Sequence, residues 1–368
     1  MMKRRYIQSL ATLQLLVILV AVATHFWLRD AAFLQGVCAS FYFVYSGYFT
    51  ALKHPGDRPY GLRDHVRYMR DKLAKLYPLH VLALALCLLA AYLYWNNNLL
   101  LSKVTLAHLA LVSTWIPTPS YYFGINPVAW FICDLFFLFL ISPLLIRPLK
   151  KISLGWQVAV VVGFIIVEMI LCYDRGPEST SLFPGGAHYF MYEFPPVRIL
   201  DFAAGIVLCH VSQSRLWHDI ASRLTASRAT LVEVGAMLLF MACYWLGKTM
   251  LHPHWYRGFC STAPAVVTLM ATFVLTSGKG GALSWLMSRS WMASLSVLGA
   301  EVYLLQFGMF ALVNYVVGKL GLPAHGTVYF IIQSVSLLLA ALAVHHGFVM
   351  LLYRRLKTRK KPLLSKNA

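Results

Sequence analysis

Charge is what this sequence has least of. Only 12% of its 368 residues are Asp, Glu, Lys or Arg, about half of the roughly 25% found in soluble domains, and acids number 13 against 32 Lys and Arg. With 59% hydrophobic residues and a mean hydropathy of +0.66, the shortage excludes an ordinary soluble domain and indicates a polytopic membrane protein. Paired cysteines are missing too. Cys38, Cys87, Cys133, Cys172, Cys209, Cys243 and Cys260 fall mostly within apolar segments, without the spacing of a zinc site or a disulfide framework. Metal ligation and redox chemistry are therefore not expected. There is no internal repeat and no Gly/Ser-rich linker. A net charge of +19 would point to nucleic acid in a soluble chain, but the cations gather at segment ends and in loops, so nucleic acid is set aside.

What the chain has in plenty is long apolar runs. They lie at about 7–28, 31–52, 76–95, 128–146, 154–173, 196–211, 230–247, 262–277, 291–318 and 327–352, which predicts an all-α membrane helix bundle of about ten transmembrane helices. A shorter run at 104–116, between Asn96-Asn97-Asn98 and Pro117-Thr118-Pro119, reads as an outer-face or re-entrant piece. Lys3-Arg4-Arg5 before the first run places the N-terminus inside. Alternating through the spans puts 25 cations on the inner side and 6 on the outer, with Arg198 inside a span. Both termini are thus expected in the cytoplasm, in a multi-pass protein of the cytoplasmic (inner) membrane with lipid around it. Ala21-Val22-Ala23 also resembles a signal-peptide cleavage site, but the apolar run continues through Trp27 and Leu28. Residues 1–353 read as one integral-membrane domain and 354–368 as a basic cytoplasmic tail, with no room for an appended soluble domain.

The stretch from Ser46 to His80 organises the rest. Ser46-Gly47-Tyr48-Phe49 ends one apolar segment, and a loop then carries Lys53, Arg58, Arg63, Arg67, Arg70, Lys72 and Lys75 before Leu76-Tyr77-Pro78-Leu79-His80 opens the next. Against Asp57, Asp64 and Asp71 these cations make a positive mouth facing the cytoplasm. Orientation alone explains such a loop in many membrane proteins. Lys72 and Lys75, three residues apart, share one helical face suited to phosphates.

An ionisable residue within a span costs about 2.5 to 3.5 kcal/mol at mid-depth and so calls for a partner or a task. His25, Asp134, Glu168, Arg198, Asp201, Glu233 and Glu301 qualify, with Gln14 and Gln306 as neutral companions. Arg198 and Asp201, three apart, are spaced to neutralise each other. His25 stands alone in the first span, roughly 30 Å of helix beyond Arg5 and so toward the outer face. A neutral imidazole there would accept a proton from a hydroxyl, although a single His near a helix end is often only interfacial. His210, His345 and His346, at inner or late-helix positions, are given no role. Tyr189, Phe190 and Tyr192, in the outer loop 174–193, suit interfacial anchoring better than stacking on sugar rings.

Short blocks in a fixed order carry a family resemblance. They are Leu13-Gln14-Leu15-Leu16 running on to His25, Ser46-Gly47-Tyr48-Phe49, Lys72-x-x-Lys75-x-x-Pro78, and Trp130-Phe131 with Ser142-Pro143. Pro195-x-x-Arg198-x-x-Asp201-Phe202-x-x-Gly205 and Glu301-Val302-Tyr303-Leu304-Leu305-Gln306 complete the set. Together, from about residue 8 to 310, they resemble the acyltransferase 3 family of integral-membrane O-acyltransferases. Gln14 stands where the family commonly has Arg, Asp134 lies four rather than five residues after Trp130, and Gln306 stands where the block often ends in His.

The resemblance implies transfer of an acyl group, usually acetyl, from cytoplasmic acyl-CoA to a hydroxyl of a carbohydrate at or beyond the membrane, without a metal. On that basis Arg70, Lys72 and Lys75 are expected to hold the CoA phosphates, while Trp130, Arg198, Asp201 and Tyr303 meet the acceptor. His25 is expected to act as base or nucleophile, with Asp134 or Glu301 orienting its ring. Two other classes fit the same composition. One is a polysaccharide or lipid exporter with buried charges along a path, against which the lack of repeats weighs mildly. The other is an inactive membrane partner of a glycan synthase, to which the loss of Arg at Gln14 would be suited.

Overall fold

The computed structural model describes residues 2–28, 34–54, 61–95, 102–175, 189–250 and 263–349. Every regular element among them is helical, as the composition demands: α1 (Met2–Phe26), α2 (Leu34–Lys53), α3 (Leu62–Trp95), α4 (Lys103–Leu109), α5 (Pro119–Tyr122), α6 (Trp130–Lys151), α7 (Leu154–Arg175), α8 (Ile199–Ser212), α9 (Arg215–Ser222), α10 (Ala226–Met250), α11 (Ala263–Thr276), α12 (Ala282–Met287), α13 (Ser290–Leu295), α14 (Gly299–Lys319) and α15 (Gly326–Val344). Five stretches among the described residues are long and apolar enough to cross a membrane: Ile7–Phe26, Leu62–Tyr94, Trp130–Lys151, Ser290–Lys319 and Gly326–Val349. A sixth follows if α9 and the start of α10, bent by 113°, count as one. Helices such as α8 and α11, with 14 residues each, cover roughly 21 Å of a hydrocarbon core about 30 Å thick.

The chain divides into two compact units, residues 1–61 with 134–297 and residues 62–133 with 298–368. In the first, α2 packs on α1, α8 and α11. The approach of α2 to α8 is close enough to exclude any side chain at two positions. A Cβ at Gly47 would sit 2.0 Å from the Phe202 carbonyl oxygen, and one at Gly205 would sit 2.0 Å from that of Val44. Small residues let helix backbones meet where lipid offers no hydrophobic drive for association. The Ser-Gly block and the Arg/Asp/Phe/Gly block are thus the two faces of one contact. Around it Phe41, Phe43 and Phe202 are fully buried, and Phe139 meets Phe202 edge-on at 6.2 Å. At the other side of α1, Thr12 donates to the Met287 carbonyl at 2.8 Å, and the hydroxyls of Ser9 and Ser277 lie 2.7 Å apart.

In the second unit α14 packs on α3 and α15. The expectation of a loop through Arg63 to Lys75 is corrected here, because α3 runs unbroken from Leu62 to Trp95. The reason is local: Arg, Lys, Leu and Met are good helix formers, and Pro78 removes only one backbone donor from a helix of 34 residues. The segment after α3 folds back along it. Tyr77 donates to the Leu109 carbonyl at 2.9 Å, and His80 Nε2 lies 3.0 Å from the His108 carbonyl, although His80 is some 22 Å of helix short of Trp95. The short 104–116 run therefore lies against α3. The segment is covered by protein: Thr105, His108, Ser113, Thr114 and Asn126 are all buried. Leu111 closes α4 with φ 58°, its N–H donating to the His108 carbonyl and that of Val112 to Ala107. Glycine usually takes that position. Here a leucine does, with its side chain buried.

Gly47→Ala or Gly205→Ala should force α2 and α8 apart, costing about 1 to 3 kcal/mol as overpacking. Gly235→Ala on α10, where a Cβ meets nothing within 4 Å, should be neutral or stabilising by up to about 1 kcal/mol. Thermal unfolding in detergent, followed by size-exclusion chromatography, compares the three.

Candidate active site

In the first unit the buried polar groups converge on Arg198, just before α8. Its guanidinium Nη1 donates to Asp201 Oδ2 at 2.9 Å and to Ser40 Oγ at 3.3 Å, while Nε donates to the Tyr192 carbonyl at 2.8 Å. Ser40 Oγ in turn donates to Asp201 Oδ2 at 3.0 Å. The Phe43 and Tyr192 rings flank the cation with centroids at 5.4 and 5.1 Å. Arg198 is 1% exposed and Asp201 4%, so the ion pair is held in an apolar surround with directed hydrogen bonds, the condition under which a buried pair is tolerated. The pairing expected from the spacing is present. Ser40, one further partner, was not legible because it lies 161 residues from Asp201. Tyr189 is buried, Phe190 stacks on Phe194 at 5.8 Å, and Tyr192 turns its ring to Arg198. Each of these aromatics is thus at least half-buried against the chain.

His25 is half-buried in the last turn of α1, its ring edge-on to Phe26 at 6.2 Å. The helix stops just beyond it, where the N–H groups of Trp27 and Leu28 both reach the Ala23 carbonyl. Gln35 on α2 donates to the Thr24 carbonyl at 3.2 Å, and Tyr42 donates to the Gln14 carbonyl at 2.8 Å. Both ends of this part of α1 are therefore pinned to α2. Asp134, in the same unit as His25, is fully buried. Glu233 has a structural task. Its carboxylate accepts from the N–H groups of Leu283 at 2.9 Å and Ser284 at 3.3 Å, capping α12 from a distance where the helix leaves these donors open. A Cβ at Gly281 would lie 2.3 Å from Glu233 Oε1, so the glycine makes room for the carboxylate. The side chain of Glu168 lies outside the described residues.

In the second unit, Glu301 Oε1 lies 2.7 Å from His345 Nδ1. Carboxylate and ring are nearly enclosed, with side chains 3% and 15% exposed. His345, given no role from the sequence, sits in a π-helical turn, His345–Val349, that follows α15. An ionisable group near the end of an apolar run was the available signal. Tyr303 meets Phe131 edge-on at 5.7 Å, and Trp130 is buried one residue before Phe131. Of the α3 cations, Lys72 Nζ stands 5.4 Å over the Tyr68 ring, and Arg70 makes an exposed pair with Asp71 at 3.4 Å. Lys75 lies on the same helix, its side chain outside the described residues. Among the described residues no group of three His, Cys, Asp or Glu is placed to hold a metal.

These positions coincide with the sequence blocks, and comparison with known proteins gives them a common source. A family model described as Acyltransferase domain matches residues 6–346, nearly the whole chain. The chain belongs to the acyltransferase 3 family. Acyltransferase MdmB of Streptomyces mycarofaciens is 25% identical over 250 residues, covering 65% of this chain. The match spans 59% of that relative's length. No solved structure matches. The chain is thus a helical member of that family, with a buried arginine network in one unit and a carboxylate–imidazole dyad in the other.

If the Arg198–Asp201 pair serves mainly to neutralise itself, Asp201→Ala should destabilise by about 3 to 5 kcal/mol through an uncompensated guanidinium. The double variant Arg198→Met with Asp201→Leu should then recover most of the folded protein. Transfer activity of the refolded double variant decides the role: retained activity makes the pair structural, and lost activity places it at the acceptor.

Proposed function

We propose that the protein spans the cytoplasmic membrane about ten times with both termini inside, and moves an acyl group, acetyl in the first instance, from acyl-CoA to a carbohydrate hydroxyl. The observation that carries this reading is the match to an acyltransferase family over residues 6–346. The helical course of α3 supports the donor. Arg70, Lys72 and Lys75 lie on the same rigid helix that continues as an apolar span, so phosphates held there are tied to a fixed place at the membrane. A nucleotide with several phosphates suits point charges of this kind. On the acceptor side, His25 takes the hydroxyl proton as general base, and Asp134 orients the ring. Trp130, Arg198, Asp201 and Tyr303 remain the residues proposed to meet the sugar.

His25→Ala, expressed at wild-type membrane levels, should lower transfer at least about 100-fold. The readout is mass spectrometry of surface glycans for ester-linked acyl groups. Undiminished esters would remove His25 from the chemistry, and a wild-type strain whose glycans carry no esters beyond a deletion strain would reject the carbohydrate acceptor. Lys72→Ala combined with Lys75→Ala should weaken acyl-CoA binding in detergent by roughly tenfold, about 1.4 kcal/mol. Unchanged affinity would move the donor site elsewhere.

A further inference from the structure

Helix α9, eight residues from Arg215 to Ser222, has no part in the reaction above. Nor is it needed to complete a crossing, because α10, with 25 residues, covers roughly 37 Å by itself. Instead α9 meets α10 at 113°, not far from a right angle, and packs on α8 and α11. At about 100° per residue its sequence separates into two sides, with Leu216, Trp217 and Ile220 on one and Arg215, Asp219 and Ser222 on the other. Trp217 is half-buried against the unit, while Leu216 and Ile220 stay exposed. A short helix of this pattern, lying across the start of a spanning one, belongs at the level of lipid headgroups.

Two other segments of the same unit come to this place. The turn after α11 holds Lys279 between Gly278 and Gly280, whose φ angles are 86° and 82°, and a Cβ at Gly280 would lie 3.5 Å from that of Ala226, the first residue of α10. On the α9 side, Arg228 Nη1 donates to the Arg223 carbonyl at 3.2 Å. Arg223, Arg228 and Lys279 are thereby gathered around one end of α10. Among the described residues none of the three has a carboxylate within ion-pair distance, and the neighbouring Glu233 is taken up by the N–H groups of Leu283 and Ser284. Arg228, Leu231, Gly235 and Leu238 share one stripe of α10 by their spacing. Along that stripe Leu231 and Leu238 are exposed, and a Cβ at Gly235 would meet nothing within 4 Å. On α12 the exposed Trp285 carries the Arg289 guanidinium over its ring at 3.5 Å, an aromatic suited to headgroup depth.

We propose that this place binds an anionic phospholipid, its phosphate held by Arg223, Arg228 and Lys279 and its acyl chains laid along Leu231 and Leu238. Leu216 and Ile220 enter the same leaflet beside it. Charge decides which lipid fits. The three cations are not neutralised by the chain, and α9 adds only Asp219 to their field, so a zwitterionic headgroup would bring a further positive charge where an anionic one brings none. Arginine and lysine at such a site supply charge-assisted hydrogen bonds to phosphate oxygens. The inference requires α10 in a bilayer and is independent of the acyl donor and acceptor.

The test is native mass spectrometry of the purified full chain from mixed micelles holding equal amounts of phosphatidylglycerol and phosphatidylcholine, read for the lipid retained. Wild type should retain phosphatidylglycerol in preference by at least about tenfold, and Arg223→Gln with Arg228→Gln and Lys279→Gln should bring that preference to within about twofold of parity. Arg147→Gln with Lys150→Gln and Lys151→Gln removes the same charge from the end of α6 and should leave the preference in place. No preference in wild type, or an unchanged preference in the first triple variant, overturns the proposal. Equal losses in the two triple variants overturn it as well, because net charge alone would then account for binding. Millimolar inorganic phosphate should leave the lipid bound, and its displacement would give the site to free phosphate and reject the lipid. Where the first triple variant fails to give a monodisperse protein, Arg223→Gln alone, at an exposed side chain, should lower the preference by about fivefold, and no change there overturns the proposal.

Discussion

The contact of α2 with α8, backbone on backbone at Gly47 and Gly205, is what the first unit depends on. Because neither glycine carries a Cβ, the Phe202 and Val44 carbonyls can approach the opposing helix directly. That approach puts Ser40 within hydrogen-bond reach of both Arg198 and Asp201, and it lays the Phe43 ring beside the guanidinium. Separate the helices by the width of a methyl group and the arginine loses a hydroxyl, a ring and the tight cover that makes its burial bearable. Packing and electrostatics here are one constraint, since the pair tolerates an apolar surround only while its remaining hydrogen-bonding capacity is met.

Much of this was legible from one dimension. Apolar runs gave the helical class, and the short blocks marked both sides of the glycine contact, because a position that excludes every side chain leaves a residue-type signature. The ion pair was legible because its members are three residues apart on one turn. Ser40 was not, since a partner 161 residues away leaves no local pattern. The stretch from Arg63 to Lys75 reads as a loop by its charge, whereas its helix propensity carries the helix through it. Hydropathy ends where the cations begin, but the helix does not.

The short segment after α3 shows a different limit. Ten to fourteen apolar residues are too few to span, so their length pointed away from a crossing without saying where they go. What decides it is long-range: the backbone carbonyls of His108 and Leu109 take side-chain partners from the middle of α3. Those bonds give partners to carbonyls in the last turn of α4, where the helix leaves them open. They also explain why Tyr77 and His80, polar residues inside an otherwise apolar run, are kept there at the cost such groups carry.

Three acids in this chain show how the identity of a partner separates structure from chemistry. Asp201 faces a guanidinium that holds its charge at every accessible pH, so the pair is locked. Glu233 faces two backbone N–H groups, which have no proton to give up, so it can only cap. Glu301 faces an imidazole, a ring whose two nitrogens are distinct, so that the bond at one sets the role of the other. A carboxylate bound to such a ring fixes its orientation while leaving its second nitrogen able to exchange a proton, which neither of the other arrangements allows. Burial alone marks all three acids as costly. The partner's chemistry, not burial, is what distinguishes Glu301 from the other two.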